Sequence, residues 1–180
     1  DDGGARLRVP SGVHTADDSF RKKAAKTTLT VLVIYTKGFK KKYPGAALKA
    51  QVNLLIQWAN LAYKNSKVPL KLEVVGRKKR NYPDGGTPED TLEALSDITD
   101  AVGVFRKVPR WRDQFAADLV VLLRVKTEPG YCGIAWRMDE LSVAFAKWAY
   151  SVTHVGILPT GIYCHDRTLV HEFGHNLGSN

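Results

Sequence analysis

The seven residues LVVLLRV at 119–125 are the strongest strand signal in the sequence. Their first five positions are all apolar, so a strand here has to be covered on both faces, as in the centre of a parallel sheet. LTVLVIY at 29–35 is a second run of this type and predicts another buried strand. At 70–74, apolar residues alternate with Lys71 and Glu73, which predicts a strand that is buried on one face.

Helical patterns separate these strands. One apolar stripe at helical spacing consists of Leu48, Val52, Leu55, Ile56, Ala59 and Tyr63. A second helix is expected to begin at Thr87, as the N-cap, with Pro88 as its first residue. Its predicted stripe consists of Leu92, Leu95, Ile98 and Val102. With a further short strand expected at 152–157, the alternation of strands and helices predicts an α/β sandwich around a largely parallel sheet.

The chain is expected to form an N-terminal arm at 1–27 and one domain at 28–180. The arm is polar, contains Gly and Pro, and lacks periodicity. No apolar stretch approaches the ~20 residues that a membrane helix needs, so we expect no membrane partner. The acidic, polar N-terminus is not a signal peptide, but a secreted protein has such an N-terminus once its leader has been removed.

Basic residues outnumber acidic ones, 27 against 18, which gives a net charge of +9. Two basic runs stand out, at 40–42 and at 77–80. Such runs are usually solvated faces, and a functional interpretation is that they attract acidic peptides. Nucleic acid is not an expected partner, because we find neither a recognisable module nor aromatic residues interleaved with the basic ones.

The sequence ends in HEFGHNLGSN, which carries the chemistry. On a helix, His171 and His175 lie one turn apart on the same face, so both imidazoles can hold one metal ion. Glu172 follows the first histidine and is placed to take a proton from a water molecule. Asp166 is the predicted N-cap of this helix, and Gly178 stands where the helix should stop. The alternative is a surface helix that carries these residues by chance.

HEFGHNLG is similar to the start of the metzincin zinc signature, HExxHxxGxxH. The whole range 28–180 resembles the reprolysin-like metalloproteases, especially the bacterial secreted type that includes peptidyl-Asp metalloendopeptidases. LTVLVIYTKGF resembles the first strand of that family, FAADLVVLLR its third, and GYCGIAW its substrate-side edge strand. CHDRTLVHEFGHNLG resembles the segment that leads into the active-site helix.

The resemblance implies a zincin-like α/β sandwich with a twisted, mostly parallel sheet, one antiparallel edge strand and a C-terminal active-site helix. It implies a secreted zinc endopeptidase (a hydrolase) that cleaves peptides, with a preference for acidic ones in some members. His171 and His175 would bind Zn²⁺, and Glu172 would be the general base for a metal-activated water. The residues along the rim of the substrate cleft would be Gly133, Ile134, Ala135 and Trp136.

The two cysteines, Cys132 and Cys164, are an even count. By themselves they fit either one disulfide in an oxidising compartment or a pair of buried thiols. The family resemblance implies the disulfide, because related enzymes tie the cleft rim to the segment before the active-site helix at these places.

The chain departs from the family pattern at the third zinc ligand, which would stand one position after Asn180. The lower subdomain, with its methionine-containing turn, is also missing from 28–180. Three explanations stay open: a fragment of a longer enzyme, a scaffold that binds a peptide or a polyanion without catalysis, or a short form that recruits another ligand. The candidates for that ligand are His154, His165, Asp166 and the terminal carboxylate of Asn180.

Overall fold

The structure is a computed structural model that describes residues 26–139, 142–158 and 160–179. Most of the predicted arm, residues 1–25, lies outside the described residues. The strands are β1 (Thr27–Tyr35), β2 (Leu70–Lys79), β3 (Leu119–Val125), β4 (Gly133–Ala135), β5 (Tyr150–Ile157) and β6 (Tyr163–Cys164). The helices are α1 (Lys37–Lys42), α2 (Ala46–Asn65), α3 (Pro88–Thr99), α4 (Val108–Gln114) and α5 (Thr168–Asn176), with short 3-10 helices at Gly103–Phe105 and Val143–Trp148.

The main sheet has the strand order β2-β1-β3-β5-β4, and β6 pairs with the end of β5. The first four strands of this order run parallel, whereas β4 is antiparallel to β5. β3 lies at the centre with Leu119–Leu123 buried, as its apolar run predicts. The expected fold class is therefore confirmed: a mostly parallel sheet with one antiparallel edge strand and a C-terminal helix.

Two apolar cores cover the two faces of the sheet, because successive strand residues point to opposite sides. Val31 and Val33 of β1 belong to the core under α2 and α5. Leu32 and Ile34 belong to the opposite core, under α3 and α4. Helices on both faces of a parallel sheet make the sandwich that the alternating pattern predicts.

The start of α3 agrees with its sequence signals, but its buried face does not. The Thr87 hydroxyl accepts the Asp90 N–H, and the Asp90 carboxylate accepts the Thr87 N–H, which forms a capping box. The predicted stripe was wrong at Leu92 and Val102, which are 48% and 51% exposed. The buried set is Thr91, Ala94, Leu95 and Ile98, which follows the i, i+3, i+4, i+7 spacing of one helix face.

The basic run at 77–80 extends β2 beyond the alternating segment predicted at 70–74. β2 pairs with β1 along its whole length, from Thr27–Leu70 to Tyr35–Lys79, so the ladder carries the strand into the charged residues. None of the helices in the described ranges combines the length and apolarity of a membrane span.

Candidate functional site

Helix α5 carries the HEFGH motif along the edge of the sheet. It packs against β5, β4 and α2. Leu169 and Phe173 are buried in the core, which holds the helix by its apolar face. Glu172 and Asn176 are also buried, whereas His171 is exposed. The helix therefore presents its first histidine to solvent and its glutamate toward the sheet edge.

The N-terminus of α5 differs from the prediction. The N-cap position is Arg167, which makes no side-chain cap, so the assignment of Asp166 as the cap was wrong. The Asp166 carboxylate instead accepts a hydrogen bond from Gln51 Nε2 of α2 at 3.4 Å. The Arg167 N–H donates to Nδ1 of His165 at 3.1 Å, so an imidazole satisfies a backbone donor at the start of the helix.

The two imidazoles of α5 converge. His171 Nε2 lies 3.2 Å from His175 Nε2, and the ring planes are almost perpendicular. Nδ1 of His175 lies 3.1 Å from the Ser179 carbonyl oxygen, which can only accept a hydrogen bond. Nδ1 therefore donates, and in the neutral imidazole Nε2 keeps its lone pair, directed toward His171.

This donor pair fits a zinc ion. Two nitrogen ligands on a tetrahedral zinc stand about 3.3 Å apart, close to the separation of the two Nε2 atoms. A shared cation needs a lone pair on both Nε2 atoms, and Nε2 of His175 has one because its proton is on Nδ1. A direct hydrogen bond between the two rings would need a proton on Nε2 of His171. The separation of the two Nε2 atoms thus allows His171 and His175 to share one metal ion. Among the described residues, no group of three His, Cys, Asp or Glu side chains could hold a metal.

The alternative third ligands do not join this pair. His165 and Asp166 are engaged at the start of α5, as described above. His154 lies on β5 and is fully buried. Burial, with the charges of Arg124 and Lys126 nearby, lowers the pKa of His154 to about 3. Asn180 lies outside the described residues.

Glu172 is buried beside the edge strand, with 4% of its surface exposed. Burial raises the pKa of its carboxyl group to about 8, because the charged form is poorly solvated there. Glu172 and His171 line one groove of about 380 Å³, together with Tyr131, Cys132, Gly133, Arg167 and Thr168. A carboxyl group and an imidazole thus face the same open space.

The rim of this groove is β4, the end strand of the sheet order. Three of the four predicted rim residues, Gly133, Ile134 and Ala135, form the strand. Trp136 follows its end, and its indole N–H donates to the Thr99 hydroxyl at 2.8 Å. Its carbonyl oxygen accepts a hydrogen bond from Asn176 Nδ2 at 2.8 Å. These contacts tie Trp136 into the protein, while β4 keeps an edge that a further strand can join.

Three connections hold the rim in place. The structure joins Cys132 to Cys164 by a disulfide, which links the rim to the strand before α5. Lys126 is buried, and its ammonium group donates to the carbonyl oxygens of Gly86 and Tyr131. Burial lowers the pKa of Lys126.

Asn176 makes the third connection, since its Nδ2 bridges the carbonyl oxygens of Trp136 and Tyr150. Neither Lys126 nor Asn176 is among the site residues that the sequence predicts. Asn176 directly follows His175 in the motif, which is a signal that could have drawn attention to it. The only signal for Lys126 in the sequence is that it directly follows a buried strand.

The two basic runs belong to other elements than the motif. Lys40–Lys42 are the last turn of α1. Residues 77–79 are the end of β2, the strand at the opposite edge of the sheet from β4, and Arg80 follows that strand. The fold does bring an aromatic residue to this second run, because Arg80 stacks on Trp111 with its Cζ 3.9 Å from the ring centroid. Arg80 thereby covers the ring face on which a base would stack.

The α/β sandwich and the HExxH helix against its edge strand together define a class of protein, the metallopeptidases. The sequence model of the metallo-peptidase family M12B, reprolysin-like, matches residues 49–180, and the chain belongs to this family.

The curated relatives that the chain matches are metalloendopeptidases. The chain is 28% identical over 159 residues to a peptidyl-Asp metalloendopeptidase of Pseudomonas aeruginosa, a match that covers 86% of this chain and 25% of that protein. It is 30% identical over 149 residues to a peptidyl-Asp metalloendopeptidase of Stenotrophomonas maltophilia K279a, with 82% of this chain and 32% of that protein covered. The chain thus spans a quarter to a third of the length of these relatives.

Solved structures share the fold. A chain in the structure of a chaperone-substrate complex matches with a TM-score of 0.65 and 24% identity, over 84% of this chain and 26% of that one. Metalloproteinase-II from Bacteroides fragilis matches with a TM-score of 0.54 and 20% identity, over 85% of this chain and 42% of that one. At these identities the likeness concerns the fold alone.

Proposed function

We propose that this chain forms the metal- and substrate-binding part of a secreted zinc-dependent endopeptidase. In this proposal His171 and His175 bind the metal, and Glu172 is the general base. One observation carries the proposal: His175 Nε2 lies 3.2 Å from His171 Nε2, and His171 shares a groove with the buried carboxyl group of Glu172, beside β4, the end strand of the sheet in the described part of the chain. Membership of a metallopeptidase family supports it.

The residues divide the chemistry of peptide hydrolysis between them. A bound zinc ion lowers the pKa of water and polarises a carbonyl group. Glu172 takes the proton of the attacking water and later gives a proton to the leaving amine nitrogen. The backbone of Gly133–Ala135 binds the peptide as an added strand, which aligns the scissile bond along α5. The buried position of Glu172 keeps its carboxyl group away from bulk water.

Two further parts of the proposal concern substrate and compartment. The substrate is a protein or peptide, and the names of the curated relatives favour an aspartate next to the cleaved bond. The Cys132–Cys164 disulfide supports secretion, because such bonds persist in oxidising compartments.

A peptide-binding scaffold without catalysis is the second candidate function. It is favoured by the count of ligands, since the described residues offer two imidazoles and a catalytic zinc usually has three protein ligands. The outer edge of β4, which no strand of the described residues occupies, would serve such a scaffold equally well, because strand addition needs no metal.

Zinc binding is tested first, with a readout that does not need activity. We expect zinc to raise the melting temperature of the wild-type chain, because a ligand that binds only the folded state stabilises it. The doubly substituted chain, His171→Ala with His175→Ala, should show no such rise. An equal rise in both chains would contradict the assignment of the two ligands.

Catalysis is tested with casein and with an acidic peptide, in the presence and absence of a chelator. Cleavage by the wild type should be lost with the chelator and with Glu172→Gln, which removes the base and keeps the size of the side chain. Glu93→Gln, an exposed glutamate on α3, is the matched control and should cleave normally. Peptide binding without cleavage in excess zinc would support the scaffold instead.

A further inference from the structure

The groove beside the motif contains one residue of fixed charge. Arg167 lies at the N-cap position of α5 and lines the groove with His171 and Glu172. An arginine stays protonated at every pH at which a protein is folded. The groove therefore offers a permanent positive charge next to the proposed catalytic residues.

Helix geometry relates Arg167 to the metal-binding pair. Arg167 stands four residues before His171, as His171 stands four residues before His175. Side chains at this spacing are neighbours on one helix face, roughly 5–6 Å apart between Cβ atoms. A peptide lying along α5 between the helix and β4 thus passes the guanidinium about one turn from the histidines.

The guanidinium is held without being neutralised. Its Cζ lies 5.4 Å from the ring centroid of Trp58, a residue of α2, which places the charge over an aromatic face. Within the described part of the chain, its side chain forms no ion pair and donates no hydrogen bond. The adjacent carboxylate, Asp166, is bonded to Gln51 and does not pair with it. Arg167 thus keeps its planar set of donors free on the groove side.

We infer that Arg167 is the specificity-determining residue of the site, and that it binds a carboxylate side chain of the substrate next to the cleaved bond. A guanidinium holds a carboxylate by two parallel N–H···O bonds, which a neutral amide of the same shape does not reproduce. The inference rests on the proposed peptidase function and deepens it, because it assigns the acidic preference to one side chain. The basic runs at 40–42 and 77–80 are then not needed for this preference.

The test compares two peptides that differ in one group, an aspartate against an asparagine at the same position. Binding is measured by fluorescence anisotropy of labelled peptides in a Glu172→Ala background, and cleavage as kcat/KM in the wild-type background. We expect the aspartate peptide to be favoured about tenfold to a hundredfold in both measurements. This factor is the one expected for the loss of a hydrogen bond between charged groups. Arg167→Gln should remove this preference, and Arg167→Lys should keep part of it. Arg110→Gln, at an exposed arginine on α4, is the matched control and should keep all of it.

The outcomes separate the two claims. Cleavage of both peptides with the same aspartate preference in wild type and Arg167→Gln overturns the inference and leaves the peptidase function standing. Binding that favours aspartate and depends on Arg167, without cleavage in excess zinc, supports the inference and overturns the peptidase function. If the chain shows no cleavage and no binding that depends on Arg167, both claims are overturned. Arg167→Glu adds a positive check, because a reversed charge should favour a lysine peptide over the aspartate peptide.

Discussion

Gly133 and Glu172 are in direct contact, although 39 positions separate them along the chain. A Cβ atom on Gly133 would stand 2.7 Å from both Cγ and Cδ of Glu172. Nothing larger than glycine fits there while the carboxyl group keeps its place. The backbone of the edge strand at Gly133 thus packs directly against the side chain of the proposed general base. A shift of either one would displace the other.

Gly133→Ala should therefore reduce both activity and stability. The added methyl group has to displace either β4 or the Glu172 side chain, and overpacking of this kind costs about 1–3 kcal/mol. We expect kcat/KM to fall at least about tenfold, since a misplacement of about 1 Å is enough for a large loss. Peptide-cleavage kinetics and urea unfolding of the same variant measure the two effects. Gly174→Ala is the control, because a Cβ there makes ordinary contact with Ser179 at 3.5 Å. Equal losses in both variants would contradict the fit between Gly133 and Glu172.

The Cys132–Cys164 disulfide should contribute substantially to stability. It closes a loop between cysteines 32 positions apart, and the loss of chain entropy in the unfolded state corresponds to about 3–4 kcal/mol. Reduction with dithiothreitol should lower the melting temperature of the wild type. The double variant Cys132→Ser with Cys164→Ser should melt at the reduced temperature and should not respond to reductant. A response of equal size in the double variant would show that reductant acts elsewhere.

The pair of Asp90 and Arg124 should be the most sensitive polar contact between α3 and the central strand. Arg124 has 2% of its side chain exposed and donates from Nη1 to Asp90 Oδ1 at 3.0 Å. Asp90→Asn leaves the buried guanidinium without its counter-charge, which should cost about 3 kcal/mol in urea unfolding. Thr87→Ala removes only the N-cap hydroxyl, at a cost of about 1 kcal/mol. Glu89→Gln, exposed in the same turn, should change stability by less than about 0.5 kcal/mol. An Asp90→Asn effect no larger than that control would be contrary to the pairing.

His154 should make the protein less stable in mild acid. Its pKa in the folded chain is lowered to about 3 by burial and by the charges of Arg124 and Lys126, whereas a histidine in the unfolded chain titrates near 6.5. Below pH 6.5 the unfolded chain therefore binds a proton that the folded chain does not, and stability falls with falling pH. Between pH 6.5 and 4.5 the loss from this residue should be about 2–3 kcal/mol.

His154→Leu isolates this contribution. Both ring nitrogens of His154 lack a hydrogen-bond partner among the described residues, so an apolar residue of similar size removes no side-chain hydrogen bond seen there. The free energy of unfolding, measured in urea at several pH values, should fall less steeply with acid in the variant. All other titrating groups are common to both chains, so the difference between the curves belongs to His154. Parallel curves would mean that His154 takes up protons equally in both states.

The strands and helices were largely predictable, because their signals are local. The buried run at 119–125 forms the central strand, and Thr87 caps α3 as its hydroxyl and the following proline predict. The errors also have local causes. Leu92 and Val102 are apolar but lie off the buried face of α3 or beyond its end, and which face is buried depends on the sheet beneath it. The cap of α5 was misassigned because Gln51, from a distant helix, attracts the Asp166 side chain.

Part of the candidate site was predictable from the sequence and part was not. Spacing along one helix brings His171 and His175 together, so sequence alone was sufficient to propose the pair. The contacts that build the groove wall could not be predicted from spacing along one helix. Lys126 and Asn176 bind carbonyl groups on other elements, and no pattern along the chain indicates which carbonyl groups these are.

The sequence by itself determined the fold class and the α5 motif, because periodicity, capping and i, i+4 spacing act between near neighbours. Its two cysteines leave one possible disulfide within the chain. Only the tertiary structure decided that Glu172 lies against Gly133, and that Arg167 lines the groove with its guanidinium over the ring of Trp58. These relationships join residues about 40 to 110 positions apart. Their physical cause is the packing of α5 against α2, β4 and β5, which local propensities do not specify.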